Sequence, residues 1–218
     1  MTEPRRIVLA SASPRRLELV PLLGLPSRVA PQPVDEEGYI LGDPTLTAVS
    51  VALAKARAAS GELSACEIAL SADTLVLLDG QLLGKPSNAS EARSMLQALR
   101  GRPHGVLTGV ALRDPKGCEW GAVVSTRVHM RAYGQEEIEA YIERGEPFDK
   151  AGAYAIQDRV FRPVERVEGC YLNVVGLPLC AIARGLQTMG ALAGPQPQAS
   201  FVPPCPYCVT GSPLVEIG

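Results

Sequence analysis

The sequence predicts an α/β protein built on a mixed β-sheet flanked by helices. Two observations predict it. Strand-like and helix-like segments interleave along the chain, as in folds that layer helices on a sheet. Residues 105–131 then read as two long strands joined by a turn, which adds antiparallel pairing.

The elements follow in order. Ile7 to Ala10 is a short apolar run suited to a buried strand. Ser13 is a good N-cap and Pro14 a good first helical residue. Leu17, Leu19, Val20, Leu22 and Leu23 fill out that helix, Gly24 suits its C-terminal cap, and Pro21 should kink or shorten it. Residues 30–39, rich in proline and acid, read as a loop. Asp43 and Pro44 open the next helix, which runs through an alanine-rich stretch to Ser60. Residues 67–86 hold a strand, interrupted by the polar Asp73, and a hairpin at Asp79-Gly80. Ala92, Met95, Leu96 and Leu99 then keep helical spacing, and Asn88 with Glu91 resembles a capping box. The two long strands turn at Asp114–Gly117. Residues 134–145 form a short helix with a glycine at each end. Residues 151–157 and 170–175 read as strands, and 177–190 as the last helix. Residues 191–218, rich in Pro, Gln and Ser, read as a flexible tail.

Composition narrows the classes. The chain has 218 residues, enough for one large domain or two small lobes around a buried core. A net charge of −2 gives no overall attraction to nucleic acid or membrane, so any anion site must be a local basic cluster. No apolar run approaches the roughly 18 residues of a membrane span. Arg5 and Arg6 precede only four apolar residues, too few for a secretion signal. A reducing cytosol with no disulfide framework is therefore expected for the six cysteines.

Three sets of residues stand out chemically. Arg15 and Arg16 lie in the first turn of a helix, where acids are preferred; they make either an anion site or exposed surface ion pairs. Asp73 sits inside an apolar strand, which is costly unless it is paired, binds a metal, caps the following turn or sits at an exposed end. Asp35, Glu36 and Glu37 form an acidic run in a loop, the usual setting of a solvated segment. Lys55, Lys85 and Lys150 have the option of an ordinary surface role, but Gly84 and Pro86 fix the backbone around Lys85. The two histidines, His104 and His129, are far apart. No G-x-S-x-G elbow, P-loop or G-x-G-x-x-G is present. Cys205 and Cys208 form a C-x-x-C without the strand and helix a redox motif needs; they read as two free cysteines in the tail, with a zinc-binding adaptor as the rival reading.

"LASASPRR", "VDEE", "ALAKA", "SADTLV", "GKP", "DKAGAYAIQ" and "VVGLP" occur in the order and spacing of the Maf family of nucleoside triphosphate pyrophosphatases, which the chain resembles over residues 6–190. The resemblance implies an elongated mixed sheet with a deep active-site cleft, a Maf/ITPase-like domain over 1–190 with two lobes, and the 191–218 tail outside it. It implies cleavage of a nucleoside triphosphate to monophosphate and pyrophosphate with a divalent cation, Mg²⁺ or Mn²⁺, in a cytoplasmic protein that forms a homodimer. By motif, Ser11, Ser13, Arg15 and Arg16 bind phosphate. Glu36 and Asp73 hold the metal, with Asp73 the alternative general base, and Lys55 and Lys85 neutralise developing charge. Arg15, Thr74 and Gln157 match the branch that prefers dTTP and UTP, including modified uridine nucleotides. The amide of Gln157 both donates and accepts, as the thymine or uracil edge requires. The alternatives are 7-methyl-GTP as substrate, or a non-catalytic nucleotide-binding regulator of septum formation.

Overall fold

A computed structural model of the chain describes residues 5–192 and 215–217. Within them the elements run β1 (Arg6–Leu9), α1 (Pro14–Leu19), β2 (Ser27–Val29), α2 (Pro44–Ala59), β3 (Glu67–Leu78), β4 (Gln81–Leu83), α3 (Ala89–Leu99), β5 (Pro103–Arg113), β6 (Glu119–Met130), α4 (Gln135–Glu143), β7 (Val164–Glu168), α5 (Tyr171–Val175), α6 (Leu179–Thr188) and β8 (Val215–Ile217). The strands form one sheet in the order β2-β1-β3-β5-β6-β7, with β4 beside β3 and β8 beside β6. β1 runs parallel to β2 and β3, and every other pair is antiparallel. The expected mixed sheet is thus present.

β3 organises the molecule, because its residues alternate between two faces. The odd face meets α2. Ala69 packs with Ala52, Ala56 and Ala59 of that helix, and the Ser71 hydroxyl donates to the Ala52 carbonyl at 2.5 Å. Small side chains let the helix come close. The even face carries two separate cores. Ile68, Leu70 and Ala72 join α1, α5 and α6 in the first. Val76 and Leu78 join α3 and α4 in the second.

The two edges of β3 differ. β5 pairs with it from Ala69 to Leu77. On the other edge β1 covers only Glu67–Leu70 and β4 only Val76–Leu78. Residues 71–75 therefore border a gap in the sheet, and Asp73 and Thr74 lie in it.

Several local expectations hold. Ser13 stands at the N-cap of α1, and the helix stops at Leu19, passing into a 3-10 turn around Pro21 that ends at Gly24 with φ +73°. Asp43 caps α2 by accepting from Thr45 and Leu46. Asp79 and Gly80 both take positive φ, 51° and 80°, as a two-residue hairpin requires.

Others fail. Residues 151–157 are not a strand: Ala151–Ala153 form a 3-10 turn around Gly152 at φ +69°, and the chain then runs irregularly. Residues 170–175 hold the helix α5 instead of a strand. A five-residue apolar run carries too few turns to reveal its period, and here tertiary hydrogen bonds decide. The edge strands β2 and β7 had no sequence signal. Inside the expected tail, Val215–Ile217 pairs with β6, while Cys205 and Cys208 lie outside the described residues. Cys180, on α6, is disulfide-bonded, against the expectation of no disulfide; Cys66, Cys118 and Cys170 are free. Among the described residues no helix is long and apolar enough to cross a membrane.

The second core contains a buried titratable group. His104 of β5 is 5% exposed, and its Nε2 lies 2.7 Å from the Tyr154 hydroxyl. Burial, with a smaller push from His129, lowers its pKa to about 4. The unfolded chain takes up this proton near pH 6.5 and the folded chain only near 4. Stability from this group is therefore complete above pH 6.5 and lost as pH falls through that window. The expected swing is about 3 kcal/mol at most. Thermal melts between pH 7 and 4.5 should show His104→Gln losing less stability with acid than the wild type; equal slopes would remove His104 as the cause.

Candidate active site

The chain leaves β1 at Leu9 and turns through Ser11 and Ser13 into α1, beside the gap in β3. Ser11 is 8% exposed and its Oγ accepts from the Ser13 amide at 3.3 Å. The Ser13 hydroxyl makes no capping bond, so it is available to a ligand. α1 has only six residues, so anion binding here rests on side chains more than on the helix.

Arg16 is half-buried and points into the gap. Its Nε donates to the Gly176 carbonyl at 2.9 Å, Nη1 to Ser11 Oγ at 3.2 Å and Nη2 to Thr74 Oγ1 at 3.2 Å. Burial pushes its pKa down to about 10; Asp73 and Glu36 act to raise it and Arg15 to lower it further. The group is still cationic at neutral pH. A guanidinium has five N–H donors, so one remains on each terminal nitrogen, the fork that suits a phosphate.

Gly176 closes α5 at φ +113°, the left-handed region that favours glycine. A Cβ there would lie 3.3 Å from Thr74 Oγ1 and 3.7 Å from Arg16 Nε. Its φ favours glycine, and an added Cβ would press on Thr74 Oγ1 while only touching Arg16.

Arg15 points elsewhere. Its Nη1 donates to Asp149 Oδ2 at 3.1 Å. Asp149 Oδ1 in turn accepts from Lys150 Nζ at 2.6 Å, and Lys150 is 9% exposed. Burial acts to raise the Asp149 pKa, but the Lys150 hydrogen bond and the charges of Arg15 and Lys150 outweigh it and hold it low.

The acidic half of the site gathers on the odd face. Lys55 of α2 has Nζ 2.8 Å from Asp73 Oδ1 and 2.8 Å from Glu36 Oε1. Asp73 is largely buried and Glu36, in the loop before α2, is exposed. The loop acid and the strand acid thus converge on one ammonium. Neither Asp73 Oδ2 nor Glu36 Oε2 accepts a bond from a described residue. Asp73 and Thr74 are successive residues with opposite faces, and the gap is where both faces meet.

A divalent cation fits this donor set. Two carboxylates with one uncommitted oxygen each are hard ligands, and Mg²⁺ or Mn²⁺ completes such a pair with water and phosphate oxygens. Among the described residues no three His, Cys, Asp or Glu side chains form a metal site, so substrate and water would supply the rest.

The remaining expected residues are less closely drawn in. Lys85 is exposed and forms no ion pair with a described residue. The chain leaves β4 opposite Val76, heading toward the gap, and Lys85 follows two residues after Leu83. Gly84 anchors that turn by accepting from Gly152 N at 3.0 Å. Gln157 is exposed on an open groove of about 490 Å³, lined also by Ile156, Arg159, Arg162 and Tyr171. The hydrogen bonds of Arg15, Arg16 and Thr74 go to residues other than Gln157. Asn173 and Thr108 were missed by sequence reasoning, while Asp149 and Gly176 stand inside the motifs "DKAGAYAIQ" and "VVGLP" but were given no role.

A mixed α/β sheet, opened beside one strand, with a guanidinium fork on one side and a carboxylate pair on the other, is an arrangement suited to a phosphate chain together with a cation. The comparisons make this more specific. Residues 6–189 match the family described as Maf-like protein, and the chain belongs to it. The dTTP/UTP pyrophosphatase of Citrifermentans bemidjiense is 48% identical over 189 residues, covering 85% of this chain and 96% of that protein. The dTTP/UTP pyrophosphatase of Thermomicrobium roseum is 45% identical over 205 residues, 93% of this chain and 92% of that one. Among solved structures, a HAM1 protein from Coxiella burnetii aligns at TM-score 0.43 and 20% identity over 59% of this chain and 74% of that one, too distant to carry an argument.

Proposed function

We propose that this protein hydrolyses dTTP and UTP to the monophosphate and pyrophosphate, with residues 1–190 as the catalytic unit. The observation that carries the reading is Arg16, held with two donors to spare, near enough to Asp73 and Glu36 for their charges to act on it. The relatives named dTTP/UTP pyrophosphatase support the choice of base. A cytoplasmic location and a homodimer go with this reading.

In the proposed mechanism Arg16, Ser11 and Ser13 grip the phosphate chain, and Lys85 closes on it from the turn after β4. Arg15 binds by exchanging Asp149 for a phosphate oxygen. Glu36 and Asp73 would hold a divalent cation, which lowers the pKa of a bound water and draws charge from phosphate oxygens. In the alternative role, with Asp73 off the cation, its Oδ2 accepts the proton of the water that attacks the α-phosphorus. Lys55 fixes the two carboxylates and stabilises the charge that develops as pyrophosphate leaves. Gln157 reads the base edge from the neighbouring groove.

A panel of nucleoside triphosphates with Mg²⁺ or Mn²⁺ tests this. dTTP and UTP should turn over fastest and yield pyrophosphate with monophosphate. Preference for 7-methyl-GTP, or release of orthophosphate, would overturn the assignment. On the same panel Arg16→Ala should slow every substrate by about 100-fold, while Arg15→Trp should change the ranking. Equal and small effects of both would show that the turn has another role.

A further inference from the structure

Arg16 differs from most arginines of this molecule. Arg28, Arg57, Arg93, Arg102, Arg131 and Arg144 all pair with carboxylates. Arg16 is held by three neutral oxygens, so its charge is left for a ligand. One of those oxygens belongs to a longer chain. Thr74 Oγ1 lies 3.0 Å from Thr108 Oγ1, and the Thr108 hydroxyl donates to the Asn173 carbonyl at 3.0 Å. Since the Thr108 proton is committed to Asn173, and Thr74 Oγ1 accepts from Arg16, the Thr74 proton must go to Thr108. The direction runs Arg16 to Thr74 to Thr108 to Asn173.

The far end of this chain is rigid. Thr108 and Asn173 are fully buried. Asn173 Nδ2 donates to the Val106 carbonyl at 3.0 Å and to Thr126 Oγ1 at 2.9 Å, so β5 and β6 both fix it. Asn173 also lies on α5, and that helix ends at Gly176, the acceptor of Arg16 Nε. α5 therefore holds the guanidinium twice, directly through Gly176 and indirectly through Asn173. Of the side-chain groups in this network only Asn173 Oδ1 accepts no bond among the described residues, and buried hydrogen bonds of this kind favour one geometry. The Thr74 hydroxyl, moreover, has no proton left to offer a base.

We propose that Thr108 is a positioning residue for Arg16, acting through Thr74, and that Thr74 aims the phosphate-binding fork instead of reading the base. The inference rests on the reading of Arg16 as a phosphate ligand.

The test is a double-mutant cycle of Thr108→Val with Arg16→Ala in the full chain. It is read as kcat and KM on dTTP and, separately, as the Kd for inorganic tripolyphosphate by calorimetry. Thr108→Val should cost about five- to tenfold in tripolyphosphate affinity and in kcat/KM, the worth of one aligned hydrogen bond. Thr108→Ser should restore both, and the Val substitution should have no further effect once Arg16 is alanine. An undiminished effect of Thr108→Val in the Arg16→Ala background, or none in the wild type, overturns the proposal. If Thr108→Val does not fold, Thr74→Val with Thr74→Ser as its rescue completes the same cycle, with the same two outcomes. A wild type that binds tripolyphosphate with this coupling but leaves dTTP intact would sink the pyrophosphatase reading and spare this one. Turnover of dTTP with additive effects would do the reverse.

Discussion

Replacing Asp73 with asparagine should reduce dTTP turnover by about 100- to 1,000-fold, the scale on which a single electrostatic contributor acts in a water-poor site. The shape of the side chain is kept. What is lost is the proton acceptor and half of the carboxylate pair around Lys55, whose ammonium lies 2.8 Å from one oxygen of each acid. The fold should survive, because Asp73 borders the gap in the sheet and contributes to neither core on the even face. Turnover and melting temperature measured on one preparation separate the two effects. Loss of activity with an unchanged melt is expected; a variant within a few-fold of wild type would remove Asp73 from the chemistry. Glu36→Gln should do less, since Glu36 is the exposed member of the pair.

The largest effect on stability should come from one added methyl group. Gly109 of β5 lies directly under α2. A Cβ there would come within 2.2 Å of the Ala48 carbonyl oxygen and 2.6 Å of the Val49 nitrogen. These are backbone atoms of a helix and cannot step aside as a flexible side chain would. Gly109→Ala should therefore lift α2 off the sheet, at a cost of about 3 kcal/mol or more, and carry Lys55 away from Asp73. Urea unfolding would measure the cost. Gly84→Ala, where the added atom meets nothing within 4 Å, is the matched control and should be neutral. Equal midpoints for the two variants would mean that α2 accommodates the methyl group.

Much of the site was legible because its residues violate local preference. Two arginines in a first helical turn, and an aspartate inside an apolar strand, are unfavourable placements unless a partner offsets them, and such partners mark a site. Capping residues such as Ser13, Asp43 and Asn88 fixed where helices begin, since their signal is carried by a few adjacent positions. What could not be read depends on distant partners. Nothing near Asp73 tells that β1 stops opposite Leu70 and β4 ends opposite Val76. β2 is fully exposed and three of the five residues of β7 are charged, so their pairing comes from the sheet edge they join. Residues 171–175 look like a strand until Arg16 and Thr126, far away in sequence, claim the Gly176 carbonyl and the Asn173 amide. Thr108 carries no local mark at all, because a buried threonine in a strand is ordinary.

β3, β5 and β6 each contribute to both cores, Ile68 and Val76, Val110 and Val106, Ala122 and Val128 being one pair from each strand. Three continuous strands therefore act as beams that span the whole molecule, with Asp73 and Thr74 near mid-span. Among the described residues no linker separates the halves, so any movement of the binding groups is transmitted through those beams. The elastic stiffness of the sheet then sets how far the binding groups can travel, and a lesion in either core reaches the reacting centre along the strand that bears it.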